Sequence, residues 1–334
     1  MNTRIICTLG PASSADAVLR AMVDAGMSCA RLNFSHGTHA EHRDRAEQMR
    51  RIAQASGRTV ELIQDLQGPK IRTVNAPRTT LQRGDEVVLN ATGGAGAFAI
   101  SEPSVLEAVE PGHHVYIDDG LIDLQAVTRT ADGIVCRVYI GGTFEGNQGV
   151  AFPSSLISLP ALSEKDIEDL RVGREIGFEW VALSFVQRWQ DLETLRPHLA
   201  PNSRVIAKIE TAAALTDLPL ITAASDAVMV ARGDLAVSIH RARVPLVQKD
   251  IIHLCREGGT LSIVATEMMR SMVDHPHPSR AEVSDVATAV LDGSNAVMLS
   301  EETAIGAYPA QAVAQMREII ETVEASPYYH WGDV

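Results

Sequence analysis

Residues 204–210 read RVIAKIE and residues 227–234 read AVMVARGD, two apolar runs of strand length that each finish in charged groups. The first ends in Lys208 and Glu210, the second in Gly233 and Asp234, with room for a helix between them. Successive strand residues alternate sides, so Lys208 and Glu210 project to the same face. Apolar strands separated by helices belong to a parallel sheet covered on both faces. If that sheet closes into a barrel, the C-terminal strand ends converge on one open face. An ammonium, two carboxylates and bare backbone N–H groups on such a face suit a divalent cation and a phosphorylated acid. A rim salt bridge is the plain structural alternative for Lys208 and Glu210. Exposed ion pairs add little stability alone, and Gly233 and Asp234 on the neighbouring strand weigh against that reading.

Working outward, similar runs occur at 4–8, 30–34, 60–64, 180–184, 262–265 and 296–299, making eight with 205–209 and 227–230. Helical patterns lie between most of them, at 13–25, 39–56, 164–176, 243–257, 281–291 and 309–324. Ser163-Glu164-Lys165-Asp166 and Ser279-Arg280-Ala281-Glu282 fit a capping box, with an acid three residues after the serine. The repeat predicts an α/β fold, a (β/α)8 TIM barrel. A doubly wound open sheet is the alternative, but it does not explain polar residues ending nearly every strand.

One connection breaks the pattern. Residues 73–158 lack helical periodicity and hold β-like pieces at 86–89, 114–117, 121–127 and 134–140. Asp118-Asp119-Gly120 and Ala131-Asp132-Gly133 are hairpin turn signals. Setting this segment aside leaves roughly 250 residues, the usual size of an eight-fold barrel. The expected organisation is a barrel from 1–72 and 159–334, with 73–158 as an inserted small β-barrel domain.

The bulk composition limits the function classes. A net charge of −13 over 334 residues argues against a nucleic-acid or anionic-membrane surface. Cys7, Cys29, Cys136 and Cys255 are scattered with no CxxC pair, which favours a reducing compartment without disulfides or zinc. The N-terminal TRIICTLG enters a strand at once, and no apolar run nears membrane-span length. The expectation is a soluble cytoplasmic protein.

Other strand ends carry usable groups. ARLNFSHG (30–37) supplies Arg31, Asn33, Ser35 and His36, and a guanidinium fork suits phosphate. Alone, His36 reads as a polar loop residue. DLQGPKIR (65–72) sets Asp65, Lys70 and Arg72 around a Gly-Pro turn where the insert departs, a hinge or, more plainly, a charged linker. IVATEMM (263–269) offers the Thr266 hydroxyl to a developing enolate, and VMLSEET (297–303) offers Ser300 and Glu302. Each of these, isolated, reads as a helix cap. CTLGPAS (7–13) is a weak glycine-proline strand exit containing Pro11. Met229, Met268, Met269 and Met298 read as core fillers.

Together CTLGPAS, ARLNFSHG, DLQGPKIR, VYIDDGLI, LPALSEKD, LSFV, AKIE, MVARGDL, VPLVQKDII, ATEMM, SRAEVSDVATAVLDG and AVMLSEETAIGAYP resemble pyruvate kinase, in that family's order and over nearly the whole chain. The resemblance implies a barrel, a β-type lid, and phosphoryl transfer from phosphoenolpyruvate to ADP, giving pyruvate and ATP. It implies that Lys208 stabilises the transferring phosphoryl group and that Glu210 and Asp234 ligate Mg²⁺, with Mn²⁺ as a substitute. It further implies that the Gly233 and Asp234 N–H groups with Thr266 hold the substrate carboxylate and that Arg31 holds its phosphate. Arg72, Asn33, His36 and Pro11 match positions facing the nucleotide, and Asp119 matches a lid residue near it. Ser300 and Glu302 match a proton-relay region behind Thr266.

The chain also departs from the family pattern. It stops at residues 331–334, just past the eighth helix, which predicts the absence of the usual C-terminal effector domain. The expectations are no activation by a sugar bisphosphate and a homodimer through barrel helices. DLQGPKIR has Leu66 and Lys70 where potassium-dependent relatives resemble DTKGPEIR. The Lys70 ammonium can replace the monovalent cation, so K⁺ is predicted not to be required. Gln148 stands where many relatives carry a nucleotide-reaching lysine, which predicts weaker ADP binding. Ala236, Ser238, His240 and Glu301 also differ, beside the site and not at its centre. Two other functions remain open: a lyase or aldolase acting on a 2-oxo acid, and a non-catalytic phosphoenolpyruvate-binding paralogue. Retention of Arg72 and Asp119 disfavours the first, and retention of Lys208 and both carboxylates disfavours the second.

Overall fold

Strand alternation arranges the inward-facing residues of the barrel in layers, and the layers differ in polarity. The computed structural model describes residues 2–155 and 157–329, so residues 331–334 lie outside the described residues. Its eight central strands are β1 (Arg4–Thr8), β2 (Met27–Asn33), β3 (Glu61–Asp65), β4 (Trp180–Leu183), β5 (Arg204–Ile209), β6 (Ala227–Ala231), β7 (Leu261–Ala265) and β8 (Ala296–Leu299). They pair in parallel in chain order, and β8 pairs with β1 to close a TIM barrel. The middle layer is apolar and close-packed, with Ile6, Cys29, Ile63, Ala182, Ile206 and Met229 all buried. Two residues below it lies a charged plug, where Glu61 accepts from Arg4, Arg204 and the Trp180 Nε1–H. Two residues above it the same parity places Arg31, Asp65, Ser184 and Lys208 at the open end.

The helices cover the outer strand faces and bury Leu, Ile, Val and Met against them. Both anticipated capping boxes are present, with Ser163 accepting from the Asp166 N–H and Ser279 from the Glu282 N–H. A third, Thr38 with Glu41, starts the helix His39–Ala55. The helix Leu218–Ala224 fills the gap expected to hold one between the two site strands, whereas the sequence gives no sign of the helix Trp189–Leu195. All four cysteines are buried and free.

The insert leaves after β3 and returns before the helix Glu164–Ile176. It contains an antiparallel pair, Ala76–Leu81 with Gly142–Gly146, and a six-stranded sheet. In that sheet His114–Ile117, Ile122–Thr130, Gly133–Ile140 and Glu86–Asn90 are antiparallel neighbours. The insert has its own core of Leu89, Val115, Ile117, Leu124, Cys136 and Val138. Asp118-Asp119-Gly120 turns the chain between two of these strands, and all three residues have positive φ.

Candidate active site

Four consecutive strands deliver the polar top layer. The Lys208 Nζ donates to Ser184 Oγ at 2.6 Å and to Asp65 Oδ1 at 3.2 Å, and it lies 3.0 Å from Glu210 Oε1. Arg31 Nε donates to the other Asp65 oxygen at 2.5 Å, and its Nη1 donates to Thr8 Oγ1 at 2.9 Å. Lys208 is 8% exposed, Asp65 1% and Glu210 2%. Burial pushes the Lys208 ammonium down, but the charges of Asp65 and Glu210 outweigh it and hold its pKa above the usual lysine value. Burial likewise raises Asp65, yet Arg31 and Lys208 keep it below the usual carboxylate range. Lys208 is therefore a fixed, buried cation.

Glu210 and Asp234 form the carboxylate side of the site. Burial raises Glu210, and the negative charge of Asp234 raises it further against the pull of Lys208. A second ammonium, Lys70, donates to Asp234 Oδ1 at 2.7 Å. Two half-repelling carboxylates with hard oxygen donors fit a divalent cation that draws its remaining ligands from water and substrate. Among the described residues no cluster of three or more His, Cys, Asp or Glu is set to hold a metal.

Phe185 and Thr266 are held in the left-handed region at the site. Phe185 (φ +56) aims its N–H at Glu210 Oε2, 2.7 Å away. Thr266 has φ +71, costly for a β-branched residue by about 1–3 kcal/mol. Arg232 holds it there, donating from Nη2 to the Thr266 carbonyl at 2.6 Å while its Nη1 pairs with Asp285 at 2.8 Å. The Gly233 N–H donates to Thr266 Oγ1 at 2.9 Å, and that hydroxyl donates to the Ala265 carbonyl at 2.6 Å. The hinge turn needs Gly68 (φ +66), since a Cβ there would lie 3.0 Å from Ser184.

Gly233, Asp234, Thr266, Ser300 and Glu302 line one cleft of about 1000 Å³, together with Lys70 and Asp119. Glu302 is buried and accepts from the Ser300 N–H at 2.7 Å and the Met269 N–H at 3.0 Å, tying the β7 and β8 exits together. The Ser300 Oγ is buried without a partner and makes no bond to Thr266. Of the nucleotide candidates, Pro11 and His36 are exposed and the Asn33 Oδ1 accepts from Ser35. Arg72 donates to the Asn147 carbonyl at 3.1 Å, and Gln148 folds back onto the Glu145 carbonyl. Among the described residues no hydrogen bond or ion pair joins these four, Pro11, Asn33, His36 and Arg72, to Lys208, whose partners are Asp65, Ser184 and Glu210. Three residues that build the site, Asp65, Ser184 and Arg232, were not among the candidates. Asp65 had been noted only at the hinge, and their signal was position: each ends or follows a barrel strand.

The family profile "PK: Pyruvate kinase, barrel domain" matches residues 1–313. The chain belongs to the pyruvate kinase family. It is similar to a pyruvate kinase of Agrobacterium vitis, 44% identical over 333 residues, covering 98% of this chain and 69% of that one. Against a pyruvate kinase of Mycobacterium intracellulare the identity is 44% over 96% of this chain and 70% of the relative. Against that of Staphylococcus aureus (strain USA300) it is 40% over 98% of this chain and 58% of the relative. Membership of the pyruvate kinase family places the chain among phosphotransferases. No helix among the described residues is long and apolar enough to cross a membrane.

Proposed function

We propose that the chain transfers the phosphoryl group of phosphoenolpyruvate to ADP, giving pyruvate and ATP, with Mg²⁺ required and K⁺ not. The observation that carries this reading is the buried Lys208 ammonium, 3.0 Å from Glu210 and facing the same open barrel end as Asp234. Phosphoryl transfer asks mainly for positioning and neutralisation of charge on the equatorial oxygens. In this reading Lys208 neutralises the transferring group, and Arg31, already oriented by Asp65 and Thr8, grips the phosphate. Glu210 and Asp234 hold Mg²⁺, which when bound screens the phosphoryl and enolate oxygens. Thr266, with the Gly233 and Asp234 N–H groups, orients the carboxylate. Ser300 and Glu302 stand behind Thr266 on the proton's side of the enolate. Arg72, Asn33, His36, Pro11 and Asp119 receive the nucleotide. The insert, residues 73–158, acts as a lid that excludes water.

Two features support independence from K⁺. Lys70 places an ammonium on Asp234 at 2.7 Å, and the Leu66 side chain is buried in the apolar core and offers no oxygen to a cation. We also infer a cytoplasmic homodimer joined through barrel helices, where Leu220, Leu246 and Leu291 are exposed. Pyruvate formation coupled to lactate dehydrogenase, with phosphoenolpyruvate, ADP and Mg²⁺, tests the reading. Equal rates with and without K⁺ are expected, and EDTA should abolish them. Turnover of a 2-oxo acid without nucleotide would instead favour the lyase reading, which the folded-back Gln148 also fits.

A further inference from the structure

We propose that Arg241 is a positioning residue that fastens the tip of the insert to the barrel rim above Asp234. Arg241 opens the short 3₁₀ turn Arg241–Arg243, on the barrel side of the cleft. Its Nη2 donates to the Asp119 carbonyl at 3.2 Å, across 122 residues of sequence. Among the described residues this is the only hydrogen bond between the insert's strand region, residues 76–151, and residues 159–329; the remaining ones to the barrel come from Ile71 and Arg72, where the insert departs.

The turn is built to present that carbonyl. Asp118, Asp119 and Gly120 take φ of +56°, +51° and +83°, an unusual left-handed run at the carbonyl that accepts from Arg241. The Asp118 N–H is tied back to the Gly149 carbonyl at 3.1 Å. A Cβ on Gly149 would lie 3.1 Å from the Lys70 Cε, and Lys70 bonds Asp234. A Cβ at Gly120 would sit 3.4 Å from Arg241 Nη2, so the guanidinium lies directly against the turn. Lys70, just before the insert departs, therefore holds Asp234, while the insert's tip is held to the rim through Asp119–Arg241. Asp119, Arg241, Lys70 and Asp234 line the same cleft. A tip fastened in this way lowers the entropy lost when substrate closes the cleft.

The test has two readouts, of which only the kinetic one rests on the phosphoryl-transfer reading. Spin labels at Thr128→Cys and Glu257→Cys, both exposed, report the insert-to-barrel distance, because the native cysteines are buried. The parent should give a narrow distribution, Arg241→Ala a broader and longer one, and Arg241→Lys, which keeps a donor, one in between. Arg241 is itself exposed, so both variants should fold. In the kinetic arm Arg241→Ala should raise the KM for phosphoenolpyruvate about tenfold with kcat nearly unchanged, and Arg241→Lys should recover part of it. Superimposable distance distributions in the parent and Arg241→Ala would overturn the proposal, as would an unchanged KM in an active enzyme. A parent without turnover whose distances still shift on Arg241→Ala supports the fastening and refutes the phosphoryl-transfer reading instead.

Discussion

The Lys70 ammonium and the Asp234 carboxylate stand 2.7 Å apart although 164 residues separate them in the chain. Lys70 lies where the chain leaves the barrel for the insert and Asp234 at the exit of β6, so the contact ties that departure point to the site. It also sets a second cation beside the first, with Lys208 on Glu210 and Lys70 on Asp234. Lys70→Glu would replace that attraction with a third carboxylate near Glu210 and Asp234. In K⁺-free buffer its turnover should fall about tenfold or more, and K⁺ should restore part of the loss. The parent's rate should not respond. A coupled assay across a K⁺ titration of both proteins checks this.

Arg232 supplies the grip that keeps Thr266 at positive φ. Its side chain is mostly buried and paired to Asp285. Arg232→Met should release the Thr266 carbonyl, let the backbone relax and displace the hydroxyl. A misplacement of this kind is expected to cost about tenfold to a hundredfold in kcat, with melting temperature reduced by the unpaired Asp285. Steady-state kinetics beside thermal melts separate the two effects. A variant that melts earlier yet keeps the parent's kcat would show Arg232 to be structural alone.

How much of this was legible beforehand follows from range. Apolar runs bounded by polar residues marked all eight barrel strands, because parallel strands buried on both faces lack alternation. Capping boxes marked two helix starts to the residue, since that signal is local. Trp189–Leu195 spans too few turns for a 3.6-residue period to stand out. Ala76–Leu81 exposes Pro77, Arg78 and Thr80 and shows no strand alternation. At the site, Lys208, Glu210 and Asp234 were visible as strand-end charges. Asp65 was visible but its partner was not: 143 residues lie between it and Lys208, and only barrel closure brings them together. Arg232 was hidden beside Gly233 and Asp234, which drew the chemical reading.

The start of the helix Arg280–Leu291 gives the acid stability a definite sign. Glu282 accepts from the Ser271 N–H at 2.7 Å, the Ser279 N–H at 2.7 Å and the Ser271 hydroxyl. Burial pushes its carboxyl up, but these bonds outweigh burial and hold its pKa below the ordinary 4.5. The unfolded chain then binds this proton more readily than the folded one. The stabilisation is full above pH 4.5 and is lost as pH falls through the depressed folded value. Glu282→Gln should cost about 1 kcal/mol at neutral pH and show a shallower loss of stability on acidification. Chemical denaturation at several pH values measures both.

The most direct test of the account compares the parent with Lys208→Met for pyruvate release from phosphoenolpyruvate, ADP and Mg²⁺, at matched circular dichroism. Removing the buried ammonium leaves the phosphoryl charge unanswered, and turnover should drop about a thousandfold or more. A folded Lys208→Met protein that turns over as fast as its parent would contradict the central role given to that one amine.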